Sequence, residues 1–273
     1  MSIQNSQSSR TILQVVSIGP VQNLLRYRWL ILELVVRDLR LRYRGTYIGF
    51  LWTLLNPIIY MAIYTFVFGF MLHVGTQRYP AYLLSGIVPW TWFLGSVTQG
   101  VTAIQDGRMY VGKTVFPVAV LVVVPVLSNM VNFVFSIPLL LIVGAIFGVH
   151  LGWSLLLLPV VVAVQYVLTY GVLLLLATYN VFFRDLQQLV GLFLTFIFFV
   201  NPIFYTLAQV PKAFQPYLLA DPITPLFIAY QNIFFHGTLP HVSLAYTAIF
   251  GVGLYFLGKF VFSRHLDSFG EYL

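Results

Sequence analysis

No cysteine occurs in the 273 residues, which excludes disulfides and cysteine-ligated metal sites. Charge is also scarce. Asp, Glu, Lys and Arg make up 8% of the chain, against roughly 25% in a soluble domain. The acidic residues are Glu33, Asp38, Asp106, Asp185, Asp221, Asp267 and Glu271, and none lies inside a long apolar run. A proton- or sodium-coupled carrier places ionisable groups within the membrane, so transport by this chain would draw its energy from elsewhere. No carboxylates or histidines converge as a catalytic centre would require. That argues against an integral-membrane enzyme acting on lipid-linked sugars. Four of the five histidines, His73, His150, His236 and His241, fall in separate loops, which suits interfacial polar residues better than a metal site. A cleavable signal peptide is not expected, because the first long apolar run opens only near residue 47.

What is present is apolar: 60% of the residues are hydrophobic. Six spanning helices are expected, at about 47–72, 81–104, 117–147, 153–179, 187–207 and 243–263, each near the ~20 residues that cross a bilayer core. Residues 208–240 are too rich in proline for a span and too apolar for a plain loop. They are read as short helices re-entering the outer leaflet, permissible only if protein or water satisfies their backbone.

The fourteen basic residues set the orientation. Arg10, Arg26, Arg28, Arg37, Arg40, Arg42 and Arg44 precede the first span, and the next basic residue is Arg78. With the N-terminus inside, only Arg78 and Lys212 face outward. Positive loops are retained in the cytoplasm, so both termini are expected there. The net charge of +7 does not point to nucleic acid, because the basic residues gather at helix ends. The domain plan is a flexible cytoplasmic stretch at 1–28, an amphipathic interface helix at 29–44, a six-helix unit at 45–264 and a cytoplasmic tail at 265–273.

Three features carry candidate function. Glu33, Arg37, Arg40 and Arg44 share one helical face, with Leu32, Val35, Val36, Leu39 and Tyr43 opposite, as in a helix lying on the inner leaflet. It serves either as a membrane anchor or as a surface for a cytoplasmic subunit. Trp52, Asn56, Tyr60, Tyr64 and Phe68 recur every four residues in the first span. The stripe either lines a path, where rings and hydroxyls meet sugars, or packs against other helices. Gln99, Asn129 and Asn132 are costly in lipid and are expected to face the bundle. Third, Gly107–Thr114 (GRMYVGKT) matches the phosphate-loop pattern, but a span precedes it and Phe116-Pro117 follows, so the strand and helix of a nucleotide site are missing. Asp106, Arg108 and Lys113 are read as a polar cytoplasmic loop.

The run Arg37-Asp38-Leu39-Arg40-Leu41-Arg42-Tyr43-Arg44, through Gly45 and Leu51-Trp52 to Leu55-Asn56-Pro57, resembles the start of the type-2 ABC permeases that export bacterial polysaccharides. Gly112-Lys113-Thr114-Val115-Phe116-Pro117, Phe183-Arg184-Asp185-Leu186, Asn201-Pro202-Ile203-Phe204-Tyr205 and Asp221-Pro222-Ile223-Thr224-Pro225 resemble further elements of that family, in order, over about residues 30–235. The resemblance implies an all-α integral-membrane fold of the ABC-2, type V exporter-like kind. It implies two copies of the chain forming the path and two separate ATPase subunits that bind ATP and Mg; this chain would hold no cofactor. It further implies a bacterial inner-membrane location and a lipid-linked polysaccharide as cargo, O-antigen first, with capsule, teichoic acid or a small drug or lipid as alternatives. Arg37, Arg40, Arg44, Asp106, Arg108, Lys113, Arg184 and Asp185 would then contact the ATPase. Trp52, Asn56, Tyr60, Tyr64 and Phe68 would line the channel, and Tyr205, Asp221 and Pro222 would form an outer gate.

Overall fold

The computed structural model describes residues 27–74, 78–110, 116–149 and 152–272. Most of the stretch 1–28, together with Lys113, the end of the Gly107–Thr114 motif and His150, lies outside them. Among the described residues there is no strand. In chain order the helices are α1 Arg28–Tyr43, α2 Trp52–Tyr64, α3 Tyr79–Gly100, the short α4 Ala103–Asp106, α5 Ala119–Ile146, α6 Leu158–Phe182, α7 Leu186–Val200, α8 Gln215–Ala220, α9 Thr224–Gln231, α10 Ser243–His265 and the short α11 Phe269–Tyr272. Tighter or wider turns extend α2 to Gly49–Met71 and α9 as far as His236.

Four continuous helices are long and apolar enough to cross a membrane: Gly49–Met71, Ala119–Ile146, Trp153–Phe182 and Ser243–Tyr272. The other two expected spans differ from them for separate reasons. Helix α3 has sufficient length at 22 residues, but Trp, Tyr, Ser, Thr and Gln dilute its apolar character. Its surroundings explain the composition: sixteen of those residues are buried among neighbouring helices, so it has little need of lipid-compatible side chains. Helix α7 has only 15 residues, about 22 Å at 1.5 Å per residue, and stops at Val200 instead of reaching 207. Asn201 is extended before Pro202 (φ −71°, ψ 146°), as a residue preceding proline prefers. The Asn201 amide closes the helix by donating to the Ile197 carbonyl at 3.0 Å.

Helix α3 is the hub, touching α2, α5, α6, α7 and α9. Helices α6 and α10 form the most extensive pair. Their backbones meet at small residues: a Cβ on Gly171 would stand 2.6 Å from the Tyr255 nitrogen, and one on Gly258 2.8 Å from the Gly171 oxygen. Small residues permit such approach inside membranes. The chain beyond α10 is no loose tail, since Phe182 of α6 packs on Tyr272 (4.9 Å) and His265 (5.4 Å) and Phe269 is fully buried.

Helix α1 departs in detail from the expected amphipathic pattern. Ile31 and Val35 are buried, but Leu32 (55%) and Val36 (37%) are exposed. The helix lies on α5 along a face that includes Asp38 and Arg42. Leu32 and Val36 share the outward face with Arg37, Arg40 and Arg44. Arg37, Arg40 and Arg44 keep to one face, while the burying face is rotated and admits one arginine, Arg42.

Candidate functional site

Helix α2 is the least buried of the apolar helices: 6% of its apolar stretch is buried, against 50% in both α5 and α6. It follows a turn with left-handed glycines at Gly45 (φ 77°) and Gly49 (φ 56°), conformations that cost other residues ~1–2 kcal/mol. Beneath it runs a groove of about 340 Å3. Trp52, Asn56 and Tyr60 form one wall, and Asn129, Asn132 and Ser136 of α5 form part of the other. Polar side chains and ring faces are therefore concentrated on both sides of a cleft that opens along the bundle.

The aromatic stripe divides in two. Trp52, Asn56 and Tyr60 line the groove, Tyr60 with 45% exposure. Tyr64 and Phe68 instead enter a ring cluster with Phe204, at 4.8 and 4.9 Å between centroids, and Tyr64 also meets Phe198 at 5.9 Å. A stacked Tyr60–Tyr64 pair, 6.0 Å apart, links the halves. Trp52, Asn56 and Tyr60 thus border a groove, while Tyr64 and Phe68 pack against other helices.

Arg42 stands at the base of the groove and is absent from the candidate set drawn from the sequence. Its Nη1 donates to Asn129 Oδ1 at 2.9 Å, and its Nη2 donates to Gln99 Oε1 at 2.6 Å and Asp38 Oδ2 at 3.0 Å. Asn129 in turn donates to Gln99 at 3.1 Å. The expectation that Gln99 and Asn129 face the bundle agrees with these contacts. Asn132 joins the adjoining set, accepting from Tyr43 at 3.3 Å, while Tyr43 and Thr53 hydroxyls meet at 2.7 Å. The signal for Arg42 was its spacing: it is four residues from Asp38 and off the face shared by Arg37, Arg40 and Arg44.

At the far end the motif residues Asn201 and Asp221 meet. Asn201 donates to Asp221 Oδ2 at 3.2 Å and accepts from Thr224 at 2.9 Å, and Asp221 also accepts from the Ile223 backbone N–H at 3.2 Å. Thr247 of α10 donates to the Pro222 carbonyl at 2.8 Å. The irregular backbone after α7 is satisfied by side chains. Tyr79 donates to the Phe204 carbonyl at 2.7 Å, Tyr82 to the carbonyls of Pro202 and Tyr205, Gln231 to Pro202, and the Tyr205 hydroxyl to Val200. Buried backbone carbonyls outside a helix need such donors. Tyr205, Asp221 and Pro222 thus all lie in bonded supporting structure.

At the basic end, Arg37, Arg40, Arg44, Asp106, Arg108, Arg184 and Asp185 are exposed. Arg37 donates to the Tyr110 hydroxyl at 2.7 Å, and Thr102 donates to Asp106 at 2.7 Å. Gln105 and Asn180 exchange hydrogen bonds at 2.8 and 3.1 Å, tying the segment around Asp106 to the segment around Arg184. Met109 (75%) and Phe183 (68%) project beside those charges. Charged residues with protruding apolar ones suit a protein contact.

A family model for ABC-2 type transporters matches residues 30–235. The chain belongs to this family. It is 37% identical over 254 residues to an O-antigen export system permease protein RfbA of Myxococcus xanthus, covering 92% of this chain and 98% of the relative. Identity to an RfbA of Klebsiella pneumoniae is 28% over 246 residues, covering 89% and 95% of the two chains. A polysialic acid transport protein KpsM of Escherichia coli is 26% identical over 238 residues, covering 82% and 89%. The chain is thus a multi-pass membrane protein of a permease family, similar to proteins named for polysaccharide transport.

Proposed function

We propose that this chain is the membrane subunit of an ATP-driven exporter that moves a lipid-linked polysaccharide, O-antigen by preference, out of the cytoplasm across the bacterial inner membrane. The observation that carries the reading is the groove under α2. A mostly unburied apolar helix there turns Trp52, Asn56 and Tyr60 toward polar groups of α5. Tyrosine and tryptophan rings offer broad contact with sugar C–H faces, and their polar atoms meet hydroxyls. Lasting capture of each sugar would stop a moving polymer, so many weak contacts suit sliding. The names of the similar proteins support the cargo class.

In this reading α3 and α7 count with the four longer helices as six spans, with both termini inside. Two copies pair about a two-fold axis, α2 toward α2, because a symmetric pair uses the same patch on each copy. Two ATPase subunits bind ATP and Mg and dock on the basic end. They meet Arg37, Arg40 and Arg44 of α1, Asp106, Arg108 and Lys113 of the first loop, and Arg184 and Asp185 of the second, with Met109 and Phe183 as apolar anchors. This chain hydrolyses no ATP.

The test is depletion of the chain in its native host. The expected result is loss of long surface polysaccharide with lipid-linked polymer accumulating in the cytoplasm. Unchanged surface polysaccharide in depleted cells overturns the reading.

A further inference from the structure

Two cavities meet at one side chain. The groove under α2 and a second cavity of about 530 Å3 at the basic end, between α1 and the ends of α3 and α5, share Arg42 and no other described residue. Asp38, Gln99 and Thr102 border the second cavity, and Trp52, Asn56 and Tyr60 border the first. The guanidinium is held across the junction from three sides, by Asp38 on its own helix, Gln99 on α3 and Asn129 on α5.

We propose that Arg42 is a movable plug that separates the basic-end cavity from the aromatic groove and is withdrawn when α1 moves. The proposal rests on the transport reading and adds a positioning residue to it. Three features of the molecule carry it. First, only one of the three partners moves with Arg42. Asp38 lies on α1, so the ion pair travels with the helix, whereas the bonds to Gln99 and Asn129 must break when α1 shifts. Second, both of those partners are neutral amides. They hold the guanidinium without a permanent opposite charge to trap it, and a second carboxylate on α3 or α5 would bind it far more firmly. Third, α1 and α2 are separate helices joined by a turn with a left-handed Gly45, so α1 can shift relative to α2 by giving up the Tyr43–Thr53 hydroxyl contact. The exposed face of the same helix carries Arg37, Arg40 and Arg44. A push on that outward face therefore acts on the plug through one rigid element. In a bilayer the open flank of the groove meets lipid or protein, so an aqueous route from the basic end passes Arg42. A plug also answers a physical need: a path wide enough for a sugar chain must not leak ions at rest.

Gly95 supports the geometry. A Cβ there would stand 2.5 Å from Asn129 Oδ1, the atom that accepts from Arg42. Only glycine lets Asn129 lie in the position that holds the guanidinium.

The chain has no cysteine of its own, so Asn56→Cys introduces one reporter in the groove. Inside-out membrane vesicles from the native host, containing the assembled transporter, are treated with a small neutral hydrophilic maleimide, whose uncharged state removes any direct effect of the lost charge. Labelling of the reporter should be slow with Arg42 present. It should rise about tenfold or more in Arg42→Ala, because the charge-assisted hydrogen bonds that close the junction are gone. The rise should be smaller in Arg42→Lys and intermediate in Gln99→Met, which keeps volume and removes one acceptor. ATP should raise labelling when Arg42 is present and add nothing in Arg42→Ala. An unchanged rate in Arg42→Ala overturns the plug; if that variant does not reach the membrane, an unchanged rate in Gln99→Met does so. Labelling that ignores ATP when Arg42 is present overturns the movable part. The assay needs no polysaccharide, so its failure is separate from failure of the transport reading, which is scored on surface polymer.

Discussion

Tyr60 and Tyr64 are one helical turn apart, chemically identical and stacked on each other, yet they occupy different environments. Tyr60 borders the groove with 45% of its surface open, while Tyr64 is wedged against Phe198 and Phe204. Tyr60→Ala should therefore leave thermal unfolding in detergent nearly unchanged and reduce export of long polymer. Tyr64→Ala should cost about 3 kcal/mol, as large-to-small changes in packed sites do, and lower export mainly by lowering the amount of protein. Surface polysaccharide at matched protein level separates the two; equal stability loss in both variants contradicts the division of the stripe. The four-residue spacing on α2 made the stripe legible in the sequence. The division was not, because it depends on Phe198 and Phe204, which lie more than a hundred residues away, Phe198 on α7 and Phe204 just beyond the turn at Asn201-Pro202. Arg42 was overlooked for a related reason: its spacing set it off the face shared by Arg37, Arg40 and Arg44, but its partners Gln99 and Asn129 lie on α3 and α5, far along the chain.

Asn201 makes a sharper case for a supporting role at the far end. It is completely buried and donates to Asp221 while accepting from Thr224. Asn201→Ala should destabilise the chain by about 1–3 kcal/mol, the cost of leaving buried polar partners unmade. Asn201→Asp should be worse despite equal size, because two carboxylates would face each other at hydrogen-bond distance and one would be driven to protonate. The difference should narrow as pH falls, since protonating either carboxylate relieves the repulsion. Detergent melting curves of the two variants at neutral and acidic pH provide the check, and an Asn201→Asp protein as stable as the parent contradicts the clamp.

At the scale of elements, contact between α6 and α10 depends on missing side chains. Gly171 faces backbone atoms of Leu254 and Tyr255 at 2.6 to 3.0 Å from an added Cβ, and backbone cannot swing aside. Gly191 on α7 has nothing within 4 Å of the same position. Gly171→Ala should force the helices apart at ~1–3 kcal/mol, the usual cost of overpacking. Gly191→Ala should be neutral or stabilising by up to ~1 kcal/mol through helix propensity. Thermal unfolding of the purified chain in detergent measures both, and equal effects contradict the packing assigned to α6 and α10. Apolar length was a good guide to α2, α5, α6 and α10, since those helices have faces that must suit lipid. It was a poorer guide to α3, whose neighbours are protein, and to the end of α7, where Asn201-Pro202 stops the helix while the apolar run continues.

For the whole molecule, the proposed transport cycle requires the basic end to turn a movement outside the membrane into a change along α2. Rigid-body coupling needs a contiguous contact, and the two loop segments at the basic end are in such contact with each other. The Gln105–Asn180 exchange joins the segments that present Asp106, Arg108, Arg184 and Asp185, so a partner seated on both segments meets one body. Helix α1, bonded through Arg37 to Tyr110 just beyond the first segment, completes the surface. Cysteines placed singly at Arg108 and Asp185 should therefore crosslink to the co-purified ATPase, and ATP should change both yields together. In Asn180→Leu, which removes the side-chain donor to Gln105, the two yields should respond to ATP independently, while ATPase activity becomes less dependent on the membrane subunit. Gel analysis of crosslinked complexes and ATPase rates of the same preparations test this. Full accessibility of both cysteines to a water-soluble thiol reagent in the assembled transporter would remove these segments from the docking surface, leaving α1 alone to carry the movement to Arg42 and α2.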